Sequence, residues 1–149
     1  MPVESANEKY GPWVGYALSA AVVLVLLRSA WMKLSADPQV VQQVVEHWGY
    51  PASSLPGIGL LELTCVLIYA VPRTTALGAV LLTGYFGGAV ATHVLIGEPF
   101  WTPLAVAAVA WAGLYLRDEG VRGLVRRMAR PGRHPPTPTP APAIRSGAY

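Results

Sequence analysis

Residues 17–27 read ALSAAVVLVLL, a stretch whose only polar side chain is the Ser19 hydroxyl. Outward from it, apolar character runs from Trp13 to Leu34, a length that crosses the roughly 30 Å hydrocarbon core of a bilayer as a helix. Three more apolar runs follow, at about Leu55–Val71, Thr75–Ile96 and Phe100–Leu116. Backbone in lipid is satisfied only in helices or closed barrels, and the strand-like alternation of a barrel is missing here. Composition agrees: of 149 residues 53% are hydrophobic and 13% charged, about half the charge of an average soluble domain. A soluble globule, a disordered chain and a disulfide-stapled module are excluded, the last because the chain has one cysteine. The expected fold is all-α, an integral membrane antiparallel four-helix bundle.

The flank before Trp13 carries Glu4, Glu8 and Lys9, not the basic n-region of a cleaved signal, so the first run is expected to stay as a span. Gly78, Gly84, Gly87 and Gly88 in the third run are expected where membrane helices approach closely. Between the first two runs, Asp37-Pro38 reads as an N-cap followed by N1. Val40, Val41, Val44, Val45 and Trp48 then repeat with helical spacing against Gln39, Gln42, Gln43 and Glu46. This predicts a short interfacial amphipathic helix, ended by Gly49. Pro72-Arg73 and Gly97-Glu98-Pro99 turn the later spans antiparallel.

Val121, Leu124, Val125 and Met128 line one side of a stretch decorated by Arg122, Arg126, Arg127 and Arg130. That pattern predicts a basic amphipathic helix against anionic lipid head groups. No base-stacking aromatics accompany it, which disfavours nucleic acid as a partner. Six prolines in the last nineteen residues predict a disordered tail. The chain thus divides into an N-terminal segment 1–12, a membrane domain 13–117, a basic juxtamembrane helix 118–130 and a tail 131–149. Four spans place both termini on one side, with Arg73. That side collects nine of the eleven Lys and Arg residues, so both termini are expected in the cytoplasm, with the protein in the inner membrane.

Ionisable groups inside spans are costly and mark candidate sites. Glu62 lies seven residues into the second span, roughly 10 Å deep, and His93 roughly 6 Å from the same surface at about 1.5 Å per residue. Arg28 and Lys33 end the first span. All four fall in the half of the bundle facing away from the cytoplasm. One reading is purely structural: Glu62 pairs with Arg28 or Lys33, and His93 bonds within its own helix. The other is a polar pocket, with Glu62 and His93 as an acid–base pair and Arg28 or Lys33 stabilising an anion. Tyr85, Thr92 and Trp101 are weaker candidates for contacting a bound headgroup. One His with one or two carboxylates falls short of a usual metal-ligand set. Cys65, alone in mid-span, reads as a small apolar residue.

The segments SAWMKL (29–34), DPQVVQQVVEHWGYP (37–51), GIGLLELTCVLIYAVPRT (57–74) and LGAVLLTGYFGGAVATHVLIGEPF (77–100) together resemble the DoxX-like family of small four-helix bacterial membrane proteins. Lys33, Gly49, Glu62, Pro72, Gly78, Gly88, Ala89, Thr92 and His93 carry the resemblance. It implies similarity to the membrane subunit of a thiosulfate:quinone oxidoreductase, and hence a quinone- or redox-linked role with a redox partner protein or a second copy as partner. Two other functions fit the residues. One is a non-enzymatic membrane scaffold or assembly factor. The other is a cofactor-free isomerase or cyclase acting on a lipophilic substrate through Glu62 and His93.

Overall fold

The computed structural model describes residues 3–129, with side chains from Tyr10 onward, and is helical throughout. Five long helices dominate: α1 (Val3–Leu34), α3 (Leu55–Ala70), α4 (Thr75–Leu95), α5 (Trp101–Arg117) and α6 (Glu119–Met128). Between α1 and α3 lies α2 (Pro38–Val40), which continues as π-helical turns over Val41–His47. A 3₁₀ turn, Ala52–Ser54, leads into α3. The expected tail at 131–149 lies outside the described residues.

Three helical stretches are long and apolar enough to cross a membrane: Tyr10–Leu34, Ala52–Ala70 and Thr75–Leu95. Helix α5 has 17 residues, which is the lower limit for a span. Helix α1 begins at Val3, so residues 3–12, expected as a segment ahead of the first span, are helical and continue through Pro12 into it. Hydropathy marks the part of a helix that lipid solvates, and a helix need not end where that part does.

Helix α1 packs on α3 and α5, and α4 packs on the same two. The shared core comprises Val22 and Leu26 of α1, Cys65, Val66 and Tyr69 of α3, Ala79, Leu82 and Phe86 of α4, and Ala110 and Leu114 of α5. Outward-facing positions stay apolar: Leu24 is 67% exposed and Leu60 59%, as expected of surface that meets hydrocarbon rather than water.

Small residues set the crossings. A Cβ on Gly113 would lie 2.6 Å from Ser19 Oγ, and one on Gly15 2.8 Å from the Arg117 nitrogen, so α1 and α5 meet backbone to backbone. Gly78 abuts the Tyr69 backbone where α4 turns back along α3. The other three glycines of α4 do not serve this purpose: a Cβ on Gly84, Gly87 or Gly88 would meet nothing within 4 Å. A run of glycines identifies backbone that could be approached, and only the tertiary fold determines which member is.

Tyr69, fully buried, ties the hairpin end together. Its hydroxyl donates to the Ala110 carbonyl at 2.8 Å and accepts from Ser19 Oγ at 3.0 Å, joining α1, α3 and α5. The Arg117 guanidinium stands 5.5 Å from both the Tyr16 and Tyr69 rings and donates to Thr75 Oγ1 at 3.3 Å. Beyond it, Asp118 caps α6 by accepting from the Val121 amide at 3.0 Å. Val121 packs against the core, while Leu124, Val125 and Met128 remain exposed.

Candidate functional site

The end of the helices opposite Tyr69 is built differently. Helix α1 stops in a Schellman turn: the Asp37 amide bonds back to the Met32 carbonyl at 2.9 Å and Ala36 adopts φ 50°. This fixes Lys33 in the last turn, pointing across to α3. Lys33 Nζ donates to Glu62 Oε2 at 2.9 Å and to Ser29 Oγ at 2.6 Å, and Ser29 Oγ donates to the same carboxylate oxygen at 3.3 Å. Glu62 is 1% exposed and Lys33 13%. A carboxylate removed this far from water persists in charged form only if paired. Both bonds from α1 converge on Oε2, leaving Oε1 with none from that helix. The Tyr85 hydroxyl on α4 interacts with the same carboxylate.

Glu62 lies at the edge of a cavity of about 500 Å³, within the usual range of small-molecule sites. Ser29 and Lys33 of α1, Tyr85, Thr92 and His93 of α4, and Thr102 of α5 contribute its polar wall, and Leu26, Ile58, Phe86 and Val106 its apolar wall. His93 Nδ1 lies 2.8 Å from the Ala89 carbonyl. A carbonyl can only accept, so Nδ1 carries the proton, and in the neutral ring Nε2 is left as an acceptor.

The mouth is crossed by the segment after α1. Asp37 caps α2 by accepting from the Gln39 amide at 2.9 Å. The chain then winds as π turns, with the Trp48 amide bonded to the Gln43 carbonyl at 3.0 Å. The expected amphipathic helix is therefore present but wider than an α-helix over Val41–His47. Apolar periodicity alone does not distinguish the two windings. Val44, Trp48 and Tyr50 line the cavity from above. The end of α4 holds them there through a second Schellman turn, in which Gly97 adopts φ 73° and the Glu98 amide bonds to the His93 carbonyl at 2.8 Å. Glu98 accepts from Trp48 Nε1 at 3.3 Å and meets His47 Nε2 at 2.6 Å. The Trp48 ring stands edge-on to His93, centroids 5.0 Å apart. Thr92 Oγ1 donates to the Gly88 carbonyl at 3.1 Å and so accepts from the Tyr50 hydroxyl, 2.7 Å away.

The sequence model of the DoxX-like family matches residues 17–113. The chain belongs to the DoxX-like family. With the apolar helices, this makes it a membrane protein. Comparison with curated proteins and with solved structures gave no match.

Of the residues singled out from the sequence, this DoxX-like protein brings Lys33, Glu62, Tyr85, Thr92 and His93 to one cavity. Arg28 and Trp101 are not there. Arg28 is exposed on α1 and bonds to none of the described residues. Five residues at about 100° and 1.5 Å each carry it roughly 140° around and about 7.5 Å along α1 from Lys33, so it points in another direction. Trp101 is 65% exposed and stacks at 4.4 Å on Phe100. Among the described residues no three metal-ligating side chains cluster. Sequence reasoning overlooked Ser29, Gln43, Tyr50 and Thr102 as lining residues, and placed Trp48 only on the apolar face of the interfacial helix. Ser29 had a usable signal, since it precedes Lys33 by one helical turn and shares its face. Tyr50 had none, because its place depends on the left-handed turn at Gly49, φ 75°.

Proposed function

We propose that this DoxX-like protein is a four-span, quinone- or redox-linked component of the bacterial inner membrane. Both termini lie in the cytoplasm and the cavity sits in the half of the bundle that faces away from it. The observation that carries this reading is a largely apolar cavity whose lining includes a buried carboxylate, an imidazole and a phenol, suited to an apolar ring bearing polar oxygens. A bound quinone would supply the two-electron chemistry. The chain's own residues bind and exchange protons: Lys33 and Tyr85 donate to a carbonyl oxygen, while His93 Nε2 and Glu62 accept from a hydroxyl. No cavity side chain is a two-electron carrier, so a redox partner protein completes the reaction. The nine basic residues on the terminal side support the orientation, and the arginines of α6 fit anionic head groups.

The test is equilibrium binding of a quinone to purified protein in lipid nanodiscs. Saturable binding is expected for the wild type, and affinity about tenfold weaker for Glu62→Gln and His93→Gln, the loss of one hydrogen bond each. Equal affinity in all three proteins refutes the reading. One observation favours the scaffold alternative. Glu62, Lys33 and Ser29 already satisfy one another without a ligand. On that reading the wild type binds no quinone and Glu62→Gln loses folded protein.

A further inference from the structure

Toward water the cavity is covered by Val44, Trp48 and Tyr50, held by Glu98, His93 and Thr92 through the contacts described above, with the exposed Gln43 and Thr102 at its rim. It also opens toward the bilayer. Leu61 of α3, 55% exposed, and Gly84 and Gly88 of α4, also exposed, line the cavity while facing outward. Residues that border a cavity and are also exposed form its opening, and on membrane-spanning helices that opening faces hydrocarbon.

The glycines at this opening have no use within the chain. Glycine inside a helix is destabilising relative to alanine, and Gly78 on the same helix is explained by its contact with Tyr69. At Gly84 and Gly88 the space a side chain would fill is empty, and it adjoins the cavity that holds Glu62. Any larger residue there would narrow the gap between α3 and α4.

We infer that the cavity takes a lipid inserted sideways from the bilayer, its polar head beside Glu62 and His93 and its hydrocarbon tail lying across Gly84 and Gly88. This rests on the ligand-binding reading above and adds the ligand's shape to it: a small ring with a long tail rather than a water-soluble molecule. The tail contributes affinity only along the glycine gap.

The test uses the full chain in nanodiscs, titrated with a quinone carrying a long isoprenoid tail and with its tail-less analogue. Gly84→Leu and Gly88→Leu are expected to weaken the tailed quinone at least tenfold and to change the tail-less one less than twofold. Gly87→Leu, which does not line the cavity, changes neither. Tailed quinone bound by the Gly84 and Gly88 variants as tightly as by the wild type overturns the inference while leaving the headgroup site standing. Equal weakening of both ligands overturns it as well, because the gap then belongs to the head. A shift in oligomeric state in these variants assigns the glycines to a contact between chains and also overturns it. A wild type that binds neither ligand overturns this inference and the proposed function together.

Discussion

Lys33 and Glu62 give the sharpest stability test. Replacing Lys33 with Met removes the ammonium that donates at 2.9 Å to a carboxylate 1% exposed. It leaves Ser29, at 3.3 Å, as the remaining donor from α1. An uncompensated buried charge of this kind costs about 3–5 kcal/mol. Replacing both residues, as Lys33→Met with Glu62→Gln, removes the charge together with its partner. Such paired replacements are often neutral, so the double variant is expected within about 1 kcal/mol of the wild type. The cycle should therefore show a coupling of at least about 2 kcal/mol, since directly bonded groups are not additive. The assay is reversible unfolding of the four proteins in mixed micelles, with helix content as readout. A double variant destabilised by the sum of its two single variants would mean that the two side chains act independently and would refute the reasoning.

Tyr69→Phe removes the hydroxyl that links α1 to α5 and with it two buried hydrogen bonds, to Ala110 and Ser19, and should cost about 1–3 kcal/mol in the same unfolding assay. Gly113→Leu forces α5 away from α1, because even a Cβ would sit 2.6 Å from Ser19 Oγ. It should lower the melting temperature by several degrees, consistent with about 1–3 kcal/mol of overpacking. Ala36→Gly should stabilise by up to about 1 kcal/mol, since φ 50° disfavours any side chain; no gain would show that the turn relaxes. On a Cys65→Ala background, an impermeant thiol reagent added to intact cells should label Gln42→Cys and spare Arg145→Cys. The reverse pattern would invert the proposed topology.

Much of this architecture was legible because lipid imposes a simple rule on the chain. Long apolar runs, prolines at the turns and the Asp37-Pro38 cap each state a local preference that no tertiary contact opposes. The depth of Glu62, Lys33 and His93 could also be counted along the helices. Direction could not: Arg28 and Lys33 both fall in the last turns of the first span, and the rotation between them turns Lys33 rather than Arg28 toward Glu62. Nor could the roof of the cavity be read. Trp48 and Tyr50 reach it through π turns and a positive φ at Gly49, and Glu98 meets them because a Schellman turn aims it back over His93. These are couplings between distant turns, and neither periodicity nor composition records them.

The Tyr69 knot has a consequence for how this scaffold can change. It fixes the helix crossings about 10 Å along α3 from Glu62, at seven residues and 1.5 Å each. The two ends share few side chains, so substitutions around the cavity leave the crossings alone. On the ligand-binding reading proposed above, one lipophilic ligand can be exchanged for another by altering Tyr85, Thr102 or Trp48 without reopening the question of how the chain folds. A family built this way is expected to keep Lys33, Glu62, Thr92 and His93, which carry the resemblance, and to vary at the remaining cavity positions.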